Sequence, residues 1–169
     1  MNILALDLGT DTGYAYNIDS EFFCGTWNLA TKKEITAWGK TRERRTNDPR
    51  VDRLCKKLSK LAGHDFDVVV FEDVEFASST YQVQLWSALR SVVWLCAHAK
   101  HFDCVPVGTL KLFATGNGHA TKEAMKKYAL GSWRAQAEFP DDPSGLNDDA
   151  IDAAWIWVWA MKTFKRMKL

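Results

Sequence analysis

Three strand-like runs lie within the first 29 residues, at 2–8, 14–18 and 21–29, separated by only a few residues each. Parallel strands need a crossover of a dozen residues or more, so only hairpins fit, and the opening is predicted to be an antiparallel meander. The first run is apolar and ends at Gly9, and Thr12-Gly13 supplies the turn into the second.

A polar, basic loop is read from there to about residue 48, where Pro49 is placed to start a helix carrying Val51, Leu54, Leu58 and Leu61 as one apolar stripe. Residues 66–71 are dense and β-branched, the pattern of a central strand covered on both faces. A helix is predicted over residues 81–100, with Trp86, Leu89, Val93 and Cys96 on one side, then a strand over 102–107. Two shorter helices, near 107–114 and 121–130, flank the turn Gly116-Asn117-Gly118, and Asn147 is placed to cap a last helix running to about residue 165. The order β-β-β-α-β-α-β-α-α-α predicts an α/β fold, a mixed sheet with helices on both faces.

With 169 residues and 47% apolar composition, one domain spanning 1–169 is expected. No apolar run approaches a membrane span and no charged leader with a cleavage site opens the chain, so a soluble, intracellular protein is expected. Cys24, Cys55, Cys96 and Cys104 are scattered without a C-x-x-C pair, which argues for core thiols over a zinc cluster or disulfide framework. The net charge of +1 provides no global field for nucleic acid, which counts mildly against that partner, but the charges are segregated. Arg42, Arg44 and Arg45 belong to a basic stretch that could track a DNA backbone by releasing counterions, or could be a solvated loop.

The carboxylates constrain the chemistry. Asp7 lies in an otherwise apolar strand, where an unpaired charge costs on the order of several kcal/mol. Either it accepts N–H bonds from the adjacent turn or a cation compensates it. Glu72 ends the other strongly buried strand and projects near Asp7 if the first and fourth strands are neighbours; alone it reads equally as a solvated rim residue, with Asp73 and Glu75 as competitors. Asp149 and Asp152, three apart, share a face of the last helix and head an apolar stripe. Asp149 has an alternative role in complementing the helix dipole; Asp152, a turn further in, does not. Carboxylates gathered at one point would bind protons unless cations neutralise them, and an oxygen-only set favours Mg²⁺ or Mn²⁺ over zinc. Two such ions form the clamp used for phosphodiester cleavage.

Together these segments resemble the RuvC family of Holliday junction resolvases, within the RNase H-like nucleases. Leu4-Ala-Leu-Asp-Leu-Gly-Thr-Asp-Thr-Gly-Tyr-Ala15 is similar to that family's first strand and turn, and Val68-Val-Val-Phe-Glu-Asp-Val74 to its strand with the second acidic residue. Asp149-Ala-Ile-Asp-Ala153 is similar to its closing D-x-x-D-A helix start. The resemblance implies an RNase H-like five-stranded sheet, three antiparallel strands then parallel ones. It implies Asp7, Glu72, Asp149 and Asp152 as catalytic ligands of two Mg²⁺ ions, with Mn²⁺ as a substitute. It also implies a homodimer that cuts branched DNA, four-way junctions above all, leaving 5′-phosphate ends. Lys111 and Lys122 match its lysine-bearing segment and are candidates for touching the scissile phosphate, Lys122 as a catalytic residue; on sequence alone they also read as surface lysines. Phe76 is the nearest match to the aromatic that the family uses at junction base pairs, its spacing differing by about one residue.

The motif D-x-G-T also opens actin-like and sugar-kinase ATPases, but these need two lobes and a second phosphate loop, and no second D-x-G motif of that kind is present. A related small nuclease family resembling YqgF and directed at RNA shares the first motif; chain length and the lysine segment fit RuvC better. The expectation is thus a cytoplasmic, structure-selective endonuclease of a bacterial or phage-infected cell, with no membrane and no small-molecule cofactor. The alternatives are a nuclease acting on RNA or flaps, and a module that binds branched DNA without cutting it.

Overall fold

The structure, a computed structural model, describes residues 1–39, 48–73, 79–135 and 139–167. Arg42, Arg44, Arg45, Glu75 and Phe76 lie outside the described residues. The strands are β1 (Ile3–Asp7), β2 (Asp11–Ile18), β3 (Glu21–Asn28), β4 (Phe66–Asp73) and β5 (Ala99–Pro106). They form one sheet of order β3-β2-β1-β4-β5. β1, β2 and β3 pair antiparallel as a meander, whereas β4 runs parallel to β1 and β5 parallel to β4. This is the predicted mixed five-stranded sheet.

The helices are α1 (Lys32–Trp38), α2 (Pro49–Ser59), α3 (Thr80–Cys96), α4 (Val107–Thr115), α5 (Lys122–Arg134) and α6 (Asp148–Met167). They divide the interior into two cores. Ile3, Ala5, Val68 and Val70 face the core built with α4, α5 and α6, while Leu4, Leu6, Val69 and Phe71 face the one built with α2 and α3. Strict alternation along a strand produces this split, because successive side chains point to opposite faces. Among the described residues no helix is long and apolar enough to cross a membrane.

α6 positions the site. It lies against β1, β2 and β3, and its small residues Ala150, Ala153 and Ala154 are buried, which lets its backbone come close to the sheet. Asn147 caps it as predicted, its side-chain oxygen accepting the Ala150 N–H at 3.1 Å. Trp155, Trp157 and Trp159 alternate along α6 and cannot share one face, yet none of the three is exposed. Trp155 is buried and donates to the Met125 carbonyl, Trp157 donates to Asn17 and meets Phe22 edge-on, and Trp159 packs on the same core. The reason is enclosure, since α6 is flanked by the sheet on one side and by α4 and α5 on the other.

Two further differences have local causes. α1 occupies part of the segment read as a loop. It buries none of its residues, so no apolar stripe announces it, and it is held instead by a capping box between Thr31 and Glu34. Glu34 also pairs with Arg53 of α2 at 2.7 Å. α3 ends at Cys96 instead of residue 100 because Ala97 is already extended and Ala99 pairs with Phe66 in the sheet. Its buried stripe is Leu85, Leu89, Val92 and Val93, which turns Trp86 away from the core.

Candidate active site

Asp7 ends β1 and shares the parity of Ile3 and Ala5, so it falls on the α6 side of the sheet. Glu72 shares the parity of Val68 and Val70 and falls on the same side. The parallel register pairs Leu6 with Phe71, so Asp7 and Glu72 stand one rung beyond, on neighbouring strands. Asp73 takes the other parity and reaches Arg90 of α3 at 2.6 Å, which removes it as a competitor for the site.

Above this edge, the first turns of α6 carry Asp149 and Asp152. Gly13 of β2, opposite Asp7 in the register, allows the contact: a β-carbon there would meet the Asp149 carbonyl oxygen at 1.9 Å. Lys122 opens α5, fixed by Thr121, whose hydroxyl accepts the Ala124 N–H, and its ammonium lies 3.9 Å from Asp149. Lys111 projects from α4. Asp7, Glu72, Asp149, Asp152, Lys111 and Lys122 line one cleft of about 530 Å³.

The electrostatics are those of crowded acid. Burial, then the charges of Glu72, Asp152 and Asp149, push Asp7 well above the ordinary carboxylate range. Burial, then Asp152, raises Glu72 to about 7. Asp152 is raised to about 6, by burial first, with Lys122 opposing and Asp148 and Asp149 adding. Asp149 is also raised by burial, against the pull of Lys122. The alternative in which Asp7 is satisfied by the adjacent turn loses its first donor, because the Gly9 N–H goes to Thr12 Oγ1 at 3.4 Å and the Thr12 hydroxyl donates back to the Gly9 carbonyl at 2.8 Å.

Among the described residues no three His, Cys, Asp or Glu side chains form a ready-made metal cage. The four carboxylates share a cleft without closing on a point. The donor set nevertheless fits a hard divalent cation: all oxygen, held on two strands and a helix, and poised to bind protons in the absence of other positive charge.

The cleft also contains residues that the sequence reading did not select. Thr10 follows Asp7 in the turn and Asp11 opens β2, and Gln82 and Trp86, one helical turn apart on α3, form the facing wall. The (i, i+4) spacing of Gln82 and Trp86 was the available signal, obscured by assigning Trp86 to the core stripe. Thr10 is held from behind by Arg50, which is buried and donates to its hydroxyl at 2.8 Å.

Two solved structures share this architecture. One, Thermus thermophilus RuvC, aligns with a TM-score of 0.56 at 16% identity, covering 96% of each chain. The second, Thermus thermophilus RuvC in complex with Holliday junction substrate, aligns with a TM-score of 0.63 at 16% identity, covering 99% of this chain and 96% of that one. The chain has the RuvC, RNase H-like fold. No protein-family model matches the sequence, and no curated protein matches it. The likeness therefore resides in the three-dimensional arrangement and in short motifs, over nearly the full length.

Proposed function

We propose that this protein is a metal-dependent endonuclease that cuts branched DNA, with four-way junctions as its preferred substrate, and that it works as a homodimer. The observation that carries this reading is the convergence of Asp7, Glu72, Asp149 and Asp152 from β1, β4 and α6 on one cleft with Lys111 and Lys122 beside them. The full-length likeness to a RuvC structure that holds a Holliday junction supports the choice of DNA form.

Asp7, Glu72, Asp149 and Asp152 would hold the ions. Two bound Mg²⁺ or Mn²⁺ ions supply Lewis-acid activation of water and neutralisation of the leaving oxygen in phosphodiester hydrolysis. Glu72, raised to about 7 without bound cations, would give up its proton near neutral pH when the ions bind. Lys122, 3.9 Å from Asp149, is placed to offset charge that builds on the phosphate, and Lys111 to hold a neighbouring phosphate. Phosphate contacts of this kind orient a strand without reading its bases.

The test is incubation of purified protein with labelled four-way junction, linear duplex and RNA–DNA hybrid in Mg²⁺, Mn²⁺ or EDTA. Metal-dependent cleavage with the junction cut fastest is expected. No metal-dependent cleavage of any substrate would overturn the nuclease reading, and preference for the hybrid would reassign the substrate to RNA.

A further inference from the structure

The thiols of Cys55 and Cys96 lie 2.9 Å apart, although 41 residues separate them in the chain. Cys55 sits midway along α2 and Cys96 ends α3, and both pack half-buried against the core between these helices and the sheet. The sulfurs need to close by only about 0.9 Å to reach the ~2.05 Å of a disulfide bond. The two helices are already joined near their N-termini, where Arg50 of α2 donates to the Tyr81 hydroxyl of α3. A second tie at Cys55 and Cys96 would join the middle of α2 to the C-terminal end of α3. α3 carries Gln82 and Trp86 on one wall of the acidic cleft, so the tie would act on that wall.

We propose that Cys55 and Cys96 are a modification site, at which mild oxidation forms an intramolecular disulfide linking α2 to α3. The oxidant is a low-molecular-weight disulfide such as oxidised glutathione. One protein thiolate attacks it, forming a mixed disulfide and releasing one small thiol. The second protein thiolate then attacks the protein sulfur of that mixed disulfide, forms the Cys55–Cys96 bond and releases the second small thiol. Two electrons and two protons pass to the oxidant, which leaves as two thiols. Burial, and then contact with Cys55, pushes the Cys96 thiol up to about 11, so closure is slow near neutral pH and accelerates as pH rises. Of the other two thiols, Cys24 is on β3 against the opposite core, and Cys104 is on β5, packed against the same core as the pair. They serve as internal controls.

The experiment treats the full-length reduced protein with glutathione buffers of graded redox poise, quenches with an alkylating agent, and reads intact mass and non-reducing peptide maps. A product lighter by two hydrogens is expected, with the 55–96 peptide pair linked, reversal by dithiothreitol, and a melting temperature above that of the reduced form, since the closed loop restricts the unfolded chain. Cys24→Ser combined with Cys104→Ser should keep the link; Cys55→Ser should lose it. Because the peptide map is read on the unmodified sequence, failure of a variant to fold does not affect the decision. Persistent single glutathionylation, a link through Cys24 or Cys104, or a chain that stays reduced at every poise would overturn the proposal.

Discussion

A β-carbon placed on Gly13 would lie 1.9 Å from the main-chain carbonyl oxygen of Asp149 and 3.2 Å from the Ala153 side chain. Gly13 is also the register partner of Asp7. One glycine therefore sets the distance between the strand that carries the first carboxylate and the helix that carries two more. Gly13→Ala must push the start of α6 off the sheet, because backbone, unlike a flexible side chain, cannot swing aside. Overpacking of this kind costs about 1–3 kcal/mol. The variant should remain folded with a lowered melting temperature, and lose junction cleavage by a larger factor than its stability loss explains. Full activity in a folded Gly13→Ala protein would show that the α6 placement is not limiting.

Asp7→Asn isolates the charge from the shape. The amide keeps the size of the side chain but weakens it as a ligand for a hard cation. Cleavage should fall below detection while junction binding, carried by phosphate contacts elsewhere, stays within a few-fold. Circular dichroism provides the control: an unfolded variant would assign Asp7 to the scaffold instead of the chemistry.

The raised carboxylates make stability depend on pH in a definite direction. Glu72 moves from 4.5 to about 7, and Asp152 from 3.8 to about 6, burial being the largest cause in both. The folded chain thus holds protons that the unfolded chain has released. This contribution to stability is complete below the ordinary carboxylate values and is lost as pH rises through about 6 to 7. For Glu72 alone the loss is on the order of 3 kcal/mol. In EDTA the melting temperature should fall between about pH 5 and about pH 8, and Glu72→Gln should flatten the decline. Saturating Mg²⁺ should restore stability most at the upper end and release protons on binding. A metal-free melting temperature that rises across this range would contradict the clustering of the acids.

Much of this arrangement was legible in the sequence because it rests on periodicity. The short spacing of the first three strands forced the meander, and the density of β-branched residues marked β4 as central. From there, alternation alone puts Asp7 and Glu72 on one face and sends Asp73 to the other. Local bonding without periodicity was harder to read. α1 has no buried residue, and only its Thr31–Glu34 capping box, visible as T-x-x-E, could have revealed it. Trp86 failed for a different reason: a helix stripe displaced by one position moves a residue from core to cleft, and hydrophobicity does not distinguish Leu85 from Trp86. The meeting of Cys55 and Cys96 across 41 residues depends on how two helices pack, which spacing along the chain does not encode.

Lys122 opposes the raised proton affinity of all four carboxylates, lowering each of them. If its ammonium acts on the charge that develops in the reaction, Lys122→Ala should reduce the cleavage rate by roughly 100-fold while changing junction affinity much less. The same change should steepen the metal-free pH dependence, since the acids lose a neighbouring cation. Equal losses in rate and affinity would reduce Lys122 to a phosphate contact.

Arg50 supports the site from beneath. It is 3% exposed, and its guanidinium donates to Asp48 at 3.0 and 2.7 Å, to Thr10 Oγ1 at 2.8 Å and to the Tyr81 hydroxyl. It also lies over the rings of Trp38 and Tyr81 at 5.5 and 5.6 Å. One side chain thereby joins α1, α2, α3 and the turn that follows Asp7. Arg50→Ala leaves the half-buried Asp48 without its ion-pair partner but still within reach of the Tyr81 hydroxyl, so the cost should fall below the about 3–5 kcal/mol of breaking a fully buried pair. Arg50→Lys should rescue little of it, because an ammonium cannot reproduce the planar fork that reaches Asp48, Thr10 and Tyr81 together. Chemical denaturation of both variants measures the cost. The loosened turn should also weaken Mg²⁺ binding, read by the metal-dependent rise in melting temperature of Arg50→Lys. An Arg50→Lys protein with unaltered stability would show that the charge, and not the fork, holds these elements together.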